Sequence, residues 1–242
     1  YKRQSKDKLT AFLSGALSNT GYWRYDRFYY DKEHAKSETI NFIGFNVKGG
    51  ANFNLSENHN VFANLGYISR APKFSYGAFM TSTTSNVINK DAKNEKVFMV
   101  DLGYGFKSSW LTANVTAYYT KWMDKSMTKS GTMEDMTEYY MNMTGVNALH
   151  KGVEVDFKYK PFRWLDITGT INLKGVRVGG SAQTTAALGA NVNLGDGFRI
   201  GADWTYYGRN YAYYSFSGSN LALGKEISIL DPWKIPASST ID

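Results

Sequence analysis

The sequence predicts an all-β protein, an antiparallel β-barrel of the kind that crosses a membrane. Apolar and polar residues alternate in one segment after another, and the junctions between these segments are alternately short and long. Aromatic residues make up 16% of the chain, whereas Pro occurs only 4 times. Because aromatic residues favour strands and Pro opposes them, the composition agrees with the pattern.

Three segments show the alternation most clearly, and each predicts a strand with one apolar and one polar face. The apolar residues on one side are Ile43, Phe45, Val47, Ala51 and Phe53 in the first segment, Phe98, Val100, Leu102, Tyr104 and Phe106 in the second, and Val153, Val155, Phe157 and Tyr159 in the third. A soluble sandwich alternates in the same way, because it buries its apolar face against a second sheet. The periodicity alone leaves both folds open.

About nine strands are predicted along the chain. They lie near residues 8–19, 39–54, 60–70, 95–107, 111–122, 139–160, 164–174, 183–194 and 198–207. The short junctions, which carry turn residues, are at 56–58, 107–109, 161–163 and 195–197. The long junctions, rich in Tyr, Ser, Thr, Asn, Lys and Asp, are at 20–38, 71–94, 123–138 and 208–236.

This sorting of the junctions predicts an orientation as well as a fold. Bacterial outer-membrane barrels have short turns on the periplasmic side and long loops on the extracellular side. The junction at 174–180 is the exception, since it is short where a long loop is expected. Either this hairpin is trimmed, or residues are missing there.

Several aromatic residues are predicted to form belts at the two membrane surfaces. Trp110 and Trp164 lie beside short turns, whereas Tyr119, Trp204 and Tyr206 lie near the other ends of their strands. The alternative is that they are ordinary strand aromatics in a core.

Composition excludes several other classes of protein. No run approaches the roughly 18 apolar residues of a transmembrane helix. The absence of Cys excludes disulfide scaffolds and thiolate chemistry. The net charge is +7, but the Lys and Arg residues are scattered and no recognition motif accompanies them, so no nucleic-acid partner is predicted.

Nothing in the chain predicts catalysis, a metal site or a cofactor. The one carboxylate cluster, Glu134, Asp135 and Glu138, falls in an expected loop and is interpreted as a solvated surface. The three histidines, His34, His59 and His150, are far apart in sequence.

Ligand binding is the more plausible chemistry, and two predicted loops suit it. Both place aromatic rings beside guanidinium groups, which can stack on flat or sugar-like ligands and hold anions. The candidate residues are Tyr22, Trp23, Tyr25 and Arg27 in the first loop and Tyr207, Arg209, Tyr211 and Tyr213 in the second. The alternative is that these loops pack on neighbouring loops.

Five stretches, taken in order, resemble the TonB-dependent outer-membrane receptors. They are V-F-A-N-L-G-Y-I-S-R-A-P at 61–72, the opening of a strand at 94–104, A-Y-Y-T-K-W at 117–122, N-A-L-H-K-G-V-E-V at 147–155, and W-K-I-P-A-S-S-T-I-D at 233–242. Two features depart from the family pattern: Asn94 stands where Pro is commoner, and the junction at 174–181 is shorter than usual.

The resemblance implies about nine strands of a 22-stranded barrel in the bacterial outer membrane. Residues 1–242 would be a partial barrel domain, with the N-terminal plug and the final strands absent. The intact protein would bind and import a scarce nutrient, such as a ferric siderophore, haem, cobalamin or an oligosaccharide. Its implied partners are that ligand, outer-membrane lipid and, through the plug, the TonB energy-coupling complex.

Two alternatives remain at this point. A passive porin or a barrel adhesin would share the strand pattern but lack a plug. A soluble carbohydrate-binding β-sandwich is the other, and the sorted loops argue against it.

Overall fold

The computed structural model describes residues 2–6, 8–80, 86–175, 181–212, 223, 225 and 233–242. Within them, an 11-stranded antiparallel sheet follows the chain order, and β13 pairs with β10. Its strands are β1 (Lys2–Lys6), β2 (Leu9–Tyr22), β3 (Ile40–Asn54), β4 (His59–Arg70), β5 (Glu95–Lys107), β6 (Leu111–Thr132), β7 (Glu138–Phe162), β8 (Leu165–Lys174), β9 (Thr184–Gly195), β10 (Phe198–Tyr207) and β13 (Ser238–Ile241). Two short strands, β11 (Asn210–Tyr211) and β12 (Lys234–Ile235), pair separately.

The nine predicted strands correspond to β2–β10, and only the end of β6 differs from its prediction by more than three residues. The short junctions all lie at one end of the sheet, here called the turn end, as expected for a sheet in which neighbours are antiparallel. The opposite end, called the loop end, carries the connections from β2 to β3 and from β4 to β5. The short strands β1, β11, β12 and β13 were not predicted.

The long loop predicted at 123–138 is wrong, because most of it continues the β6–β7 hairpin. A tight turn closes the hairpin, where the N–H of Met133 donates to the carbonyl oxygen of Thr137 at 2.8 Å. The two strands have 22 and 25 residues, far more than the roughly 9 to 11 that cross a membrane. The outer part therefore needs no apolar face, and backbone pairing holds its polar residues in strands.

One face of the sheet is apolar and exposed. The register places Leu65 opposite Val100 and Leu102 opposite Ala117, so the predicted apolar faces of neighbouring strands merge. Leu17 is 85% exposed. No second sheet covers this face in the described parts of the chain, whereas a soluble sandwich would bury such a face.

Aromatic rings form two rows across the apolar face. Near the loop end Phe45 stacks on Tyr67 and Phe98 meets Tyr119, whereas near the turn end Trp110 lies between Phe106 and Tyr159. The separation from Phe98 to Phe106 is about 27 Å along β5, or about 20 Å after a barrel tilt of about 40°. This spacing is close to the roughly 25 Å apolar band of such barrels.

The other face of the sheet is polar. Asn114 donates to the carboxylate of Asp156 at 2.8 Å, and Lys160 lies 3.1 Å from Asp166. The single π-helical turn in the described residues, Phe74–Ala78, lies at the loop end and contributes to a small buried core. Among the described segments there is no helix with the length and apolar character needed to span a membrane.

Candidate functional site

Tyr22, the first of the predicted ligand contacts, is packed into the aromatic core at the loop end. Its ring meets the edge of Phe74 at a centroid distance of 5.5 Å and lies 5.9 Å from Phe42. Its hydroxyl donates a hydrogen bond to the carbonyl oxygen of Pro72 at 3.1 Å. Because these contacts join the β4–β5 loop to β2 and β3, Tyr22 holds the loops in place.

The β2–β3 loop, residues 23–39, forms a small hairpin with cations over its rings. A backbone bridge joins Tyr25 to Lys36. The Cζ atom of Arg27 lies 5.5 Å from the centre of the Tyr25 ring, and the Nζ atom of Lys36 lies 5.3 Å from that of Trp23. Trp23 and Tyr25 are about half exposed. Three of the predicted residues thus present the expected pairing of aromatic faces with positive charge.

Two aspartates shape the tip of this loop. One oxygen of Asp26 accepts hydrogen bonds from the N–H groups of Tyr29 (2.9 Å) and Phe28 (2.8 Å), and these bonds hold the pKa of Asp26 below its usual value. The carboxylate of Asp31 accepts from both the N–H and the ring nitrogen of His34, which lowers the pKa of Asp31 as well.

The β4–β5 loop is held on both sides by asparagine side chains. The side-chain Nδ2 atom of Asn86 donates to the carbonyl oxygen of Ala35 at 2.9 Å. The backbone N–H of Asn86 donates to the hydroxyl of Tyr30 at 3.1 Å. On the other side the Nδ2 atom of Asn142 donates to the carbonyl oxygen of Phe79 at 2.6 Å. The loops around the site therefore form one packed layer with the β6–β7 hairpin.

The second predicted group lies on and after β10. Arg209 and Lys234 line a hollow of about 510 Å³. Tyr207 is partly exposed, whereas Tyr211 is buried and pairs through its backbone with Lys234. Tyr213 lies outside the described residues. Seven strands separate β10 from β2 in the sheet, so the two predicted groups are not neighbours along it.

A further hollow, which sequence reasoning missed, lies at the loop end on the polar face. It has a volume of about 560 Å³. The Cζ atom of Arg70 and the Nζ atom of Lys125 lie 5.1 Å and 5.0 Å from the centre of the Trp122 ring. Arg70 also pairs with Glu95, with Nη2 2.9 Å from Oε2. The walls thus carry an aromatic ring between cations.

The charge in this hollow is positive overall. Three cations, those of Arg70, Lys73 and Lys125, face one carboxylate, that of Glu95. The hydroxyl of Ser126, which also lines the hollow, is buried and has no hydrogen-bond partner in the structure. A ligand with negative charge, hydrogen-bonding groups and a flat surface is therefore the best match.

Sequence reasoning missed this hollow because its residues come from four strands and a loop. Arg70 and Glu95 are adjacent only through the pairing of β4 with β5, and Trp122 joins them only through the pairing of β5 with β6. The available signal was position, since Arg70 and Trp122 both stand at the last residue of a predicted strand, at the loop end.

A family model described as TonB-dependent receptor-like β-barrel matches residues 7–242. The copper transporter OprC is similar in structure, with a TM-score of 0.73 and 16% identity over 98% of this chain and 36% of OprC. The siderophore receptor PirA from Acinetobacter baumannii has a TM-score of 0.63 and 14% identity over 99% of this chain and 46% of PirA. The ferripyoverdine receptor of Pseudomonas aeruginosa has a TM-score of 0.66 and 14% identity over 99% of this chain and 30% of that receptor.

At these identities the likeness to solved structures shows the fold alone. This chain spans less than half of the length of each of the three structures. No match was found among curated protein sequences.

Proposed function

Because the chain belongs to the TonB-dependent receptor β-barrel family, we propose that it forms part of the wall of an outer-membrane importer for a scarce nutrient. The observation that carries the proposal is the hollow of Arg70, Trp122 and Lys125, which lies at the loop end on the polar face. In a barrel whose apolar face meets lipid, this face lines the interior. This position supports the proposal, because a ligand that enters the barrel from the loop end would pass the hollow.

In this proposal the intact receptor has further parts besides these 242 residues, and transport depends on them. A plug domain precedes the barrel, further strands close it, and the TonB energy-coupling complex acts through the plug. The chain covers between 30% and 46% of the three structural relatives, which supports a partial barrel domain.

Anionic metal chelates suit the hollow better than the other nutrient classes. Guanidinium and ammonium groups beside an indole ring bind negative charge and stack on planar groups. Ferric catecholates and haem have these properties, whereas neutral oligosaccharides lack the charge. The structural relatives are a copper transporter, a siderophore receptor and a receptor bound to ferripyoverdine, and the two siderophore receptors agree with this preference.

The aromatic and basic residues of the loops would form the outer part of the binding site. Trp23, Tyr25 and Arg27 would make the first contacts, and the accessibility of their rings and charges supports this role. Arg209, which lines the hollow after β10, and Tyr207, which is partly exposed, would form a second part of the binding site. Tyr22 contributes by positioning the β4–β5 loop.

Uptake by cells that express the intact receptor tests the proposal. The probes are a ferric catecholate, haem, cobalamin and a maltooligosaccharide, each with and without the energy-coupling complex. Energy-dependent uptake of an anionic chelate is expected, with a loss of about tenfold in apparent affinity for Arg70→Gln with Lys125→Gln, on the scale of a charged contact. Lys107→Gln, at the turn end of the same face, is the matched control.

Two results would contradict the proposal. Energy-independent passage of small solutes would show a passive porin. Binding of host surfaces with no uptake of any probe would show an adhesin.

A further inference from the structure

The β6–β7 hairpin contains most of the methionines of the chain. Six of the 8 Met residues of the chain lie within 21 consecutive residues of this hairpin, at positions 123, 127, 133, 136, 141 and 143. This segment continues beyond the length that crosses a membrane, and the same segment carries four carboxylates and two lysines. A net charge of −2 here contrasts with the +7 of the whole chain.

The strand register places three of these methionines on one face. Met127 and Met143 are direct partners across the hairpin, so their side chains leave the same side. Met141 precedes Met143 by two residues and shares that side. Directly opposed Cβ atoms are about 5 Å apart, and positions two residues apart on a strand are about 7 Å apart.

The opposite face of the hairpin is the one that packs on the protein. Thr128 and Asn142 are also direct partners and therefore point away from Met127 and Met143. Asn142 donates to the carbonyl oxygen of Phe79 in the β4–β5 loop, and Ser126 is buried on this side. The methionine face is not the face on which Asn142 packs. Met127 is 39% exposed and also borders the hollow of Arg70 and Trp122.

An aromatic ring and charges of both signs surround the methionine face. Tyr139 lies across the hairpin over Gly131, with its hydroxyl 2.7 Å from where a Cβ atom of residue 131 would stand. Its ring therefore borders the face beyond Met141. Lys129 is the direct partner of Met141 and brings one positive charge. The carboxylates at the tip, Asp135 and Glu138, bring negative charge nearby.

From this arrangement we infer that Met127, Met141 and Met143 form a binding site for a soft monovalent cation, Cu(I) or Ag(I). Thioether sulfur is a soft ligand that selects Cu(I) over hard divalent cations. Methionine has three rotatable bonds, so three sulfurs whose Cβ atoms lie about 5 to 7 Å apart can converge on one ion. Neutral thioethers need no deprotonation, and the acidic hairpin attracts the cation. The site does not depend on which nutrient the barrel imports.

Titration of the purified intact receptor with Ag(I), which needs no reductant, tests the site. Calorimetry in detergent is expected to show one Ag(I) per chain that Zn(II) and Ca(II) do not displace. The Met127→Leu, Met143→Leu double variant keeps a similar side-chain volume and is expected to lose at least about tenfold in affinity. The matched control is Met99→Leu with Met136→Leu, which removes one methionine from β5 and one from the hairpin tip.

Equal Ag(I) affinity in both double variants, or no saturable binding by the wild-type receptor, would overturn the inference. The methionines would then be apolar surface residues with no bound metal. Heat-shifted migration on gels shows whether each variant is folded. If the Met127, Met143 variant fails this check, the single variant Met141→Leu decides the question in the same way. Nutrient uptake is measured separately, so failure of the metal site and failure of the import proposal remain distinguishable.

Discussion

Arg70 and Glu95 are direct partners across β4 and β5, and the guanidinium donates to one carboxylate oxygen through Nε at 3.2 Å and Nη2 at 2.9 Å. The side chain of Glu95 is 2% exposed, whereas that of Arg70 is 52% exposed and also lies over Trp122. The buried carboxylate thus fixes the position of an arginine whose other side remains accessible. This pairing orients the cation at the hollow.

Removal of Arg70 is expected to destabilise the protein, because it leaves the Glu95 carboxylate buried without its cationic partner. Arg70→Met should lower the free energy of unfolding by about 1 to 3 kcal/mol, with the lower end favoured by the exposure of Arg70. Adding Glu95→Gln to Arg70→Met should recover part of this loss. Urea unfolding of the two single variants and the double variant measures the coupling, and strictly additive effects would contradict it.

Gly152, in the stretch that resembles a family motif, is expected not to tolerate a side chain. A Cβ atom there would collide with the backbone carbonyl of Leu173 and stand 2.6 Å from the hydroxyl of Tyr118. Gly152→Ala should therefore cost about 1 to 3 kcal/mol of stability. Gly15→Ala is the control, since its nearest atom would be 3.8 Å away. Equal urea midpoints for the two variants would refute the prediction.

The tip of the β2–β3 loop is expected to loosen in acid. The pKa of Asp26 is lowered mainly by the N–H groups of Tyr29 and Phe28, so ionised Asp26 stabilises the folded loop above its ordinary pKa of 3.8. This contribution is lost as the pH falls from 3.8 through the lowered pKa. Hydrogen exchange at Phe28 and Tyr29 should accelerate over that range beyond its intrinsic pH dependence.

Asp26→Asn is expected to weaken protection of the same two amides at pH 7 and to remove the acid transition. Glu33→Gln, which removes the same charge from the same loop, should leave the protection of the two amides and the acid transition unchanged. An acid transition that persists in Asp26→Asn would assign it to another group.

Tryptophan fluorescence is expected to separate the two faces of the sheet. Trp110 and Trp164 lie in short turns at the turn end, which confirms their predicted position, whereas Trp122 lines the hollow on the polar face. In single-tryptophan variants reconstituted in bilayers, lipids brominated near the headgroup should quench Trp110 and Trp164. Quenching of Trp122 to the same extent would contradict the assignment of the polar face to the interior.

The strands that cross the membrane could be predicted because the two environments on their faces impose a period of two. Ile43, Phe45 and Val47 must meet lipid while Asn46 and Lys48 face water, and this contrast is visible in the sequence alone. The outer part of the β6–β7 hairpin has water on its exposed side, so Ser130 and Thr132 carry no such contrast. Their strand conformation depends on pairing with β7, which no local pattern reveals.

The candidate site was predictable only in the parts that lie within one loop. Tyr25 and Arg27 are two residues apart, so their stacking follows from local sequence. Arg70 and Trp122 are 52 positions apart and meet only because two strand registers align them. Tyr22 was predicted as a ligand contact from its neighbours, but its packing on Phe74 follows from the fold of the β4–β5 loop.

Accessibility of spin labels on neighbouring positions of β4 and β5 tests most directly that one face meets lipid and the other lines the interior. The chain has no Cys, so single labels can be placed at Asn64, Leu65, Asp101 and Leu102 of the intact receptor in bilayers once any cysteine elsewhere is replaced. Labels at Leu65 and Leu102 should collide preferentially with oxygen dissolved in lipid, and labels at Asn64 and Asp101 with a water-soluble nickel chelate. Equal accessibility of all four positions to the nickel chelate would contradict the barrel wall and the interior site built on it.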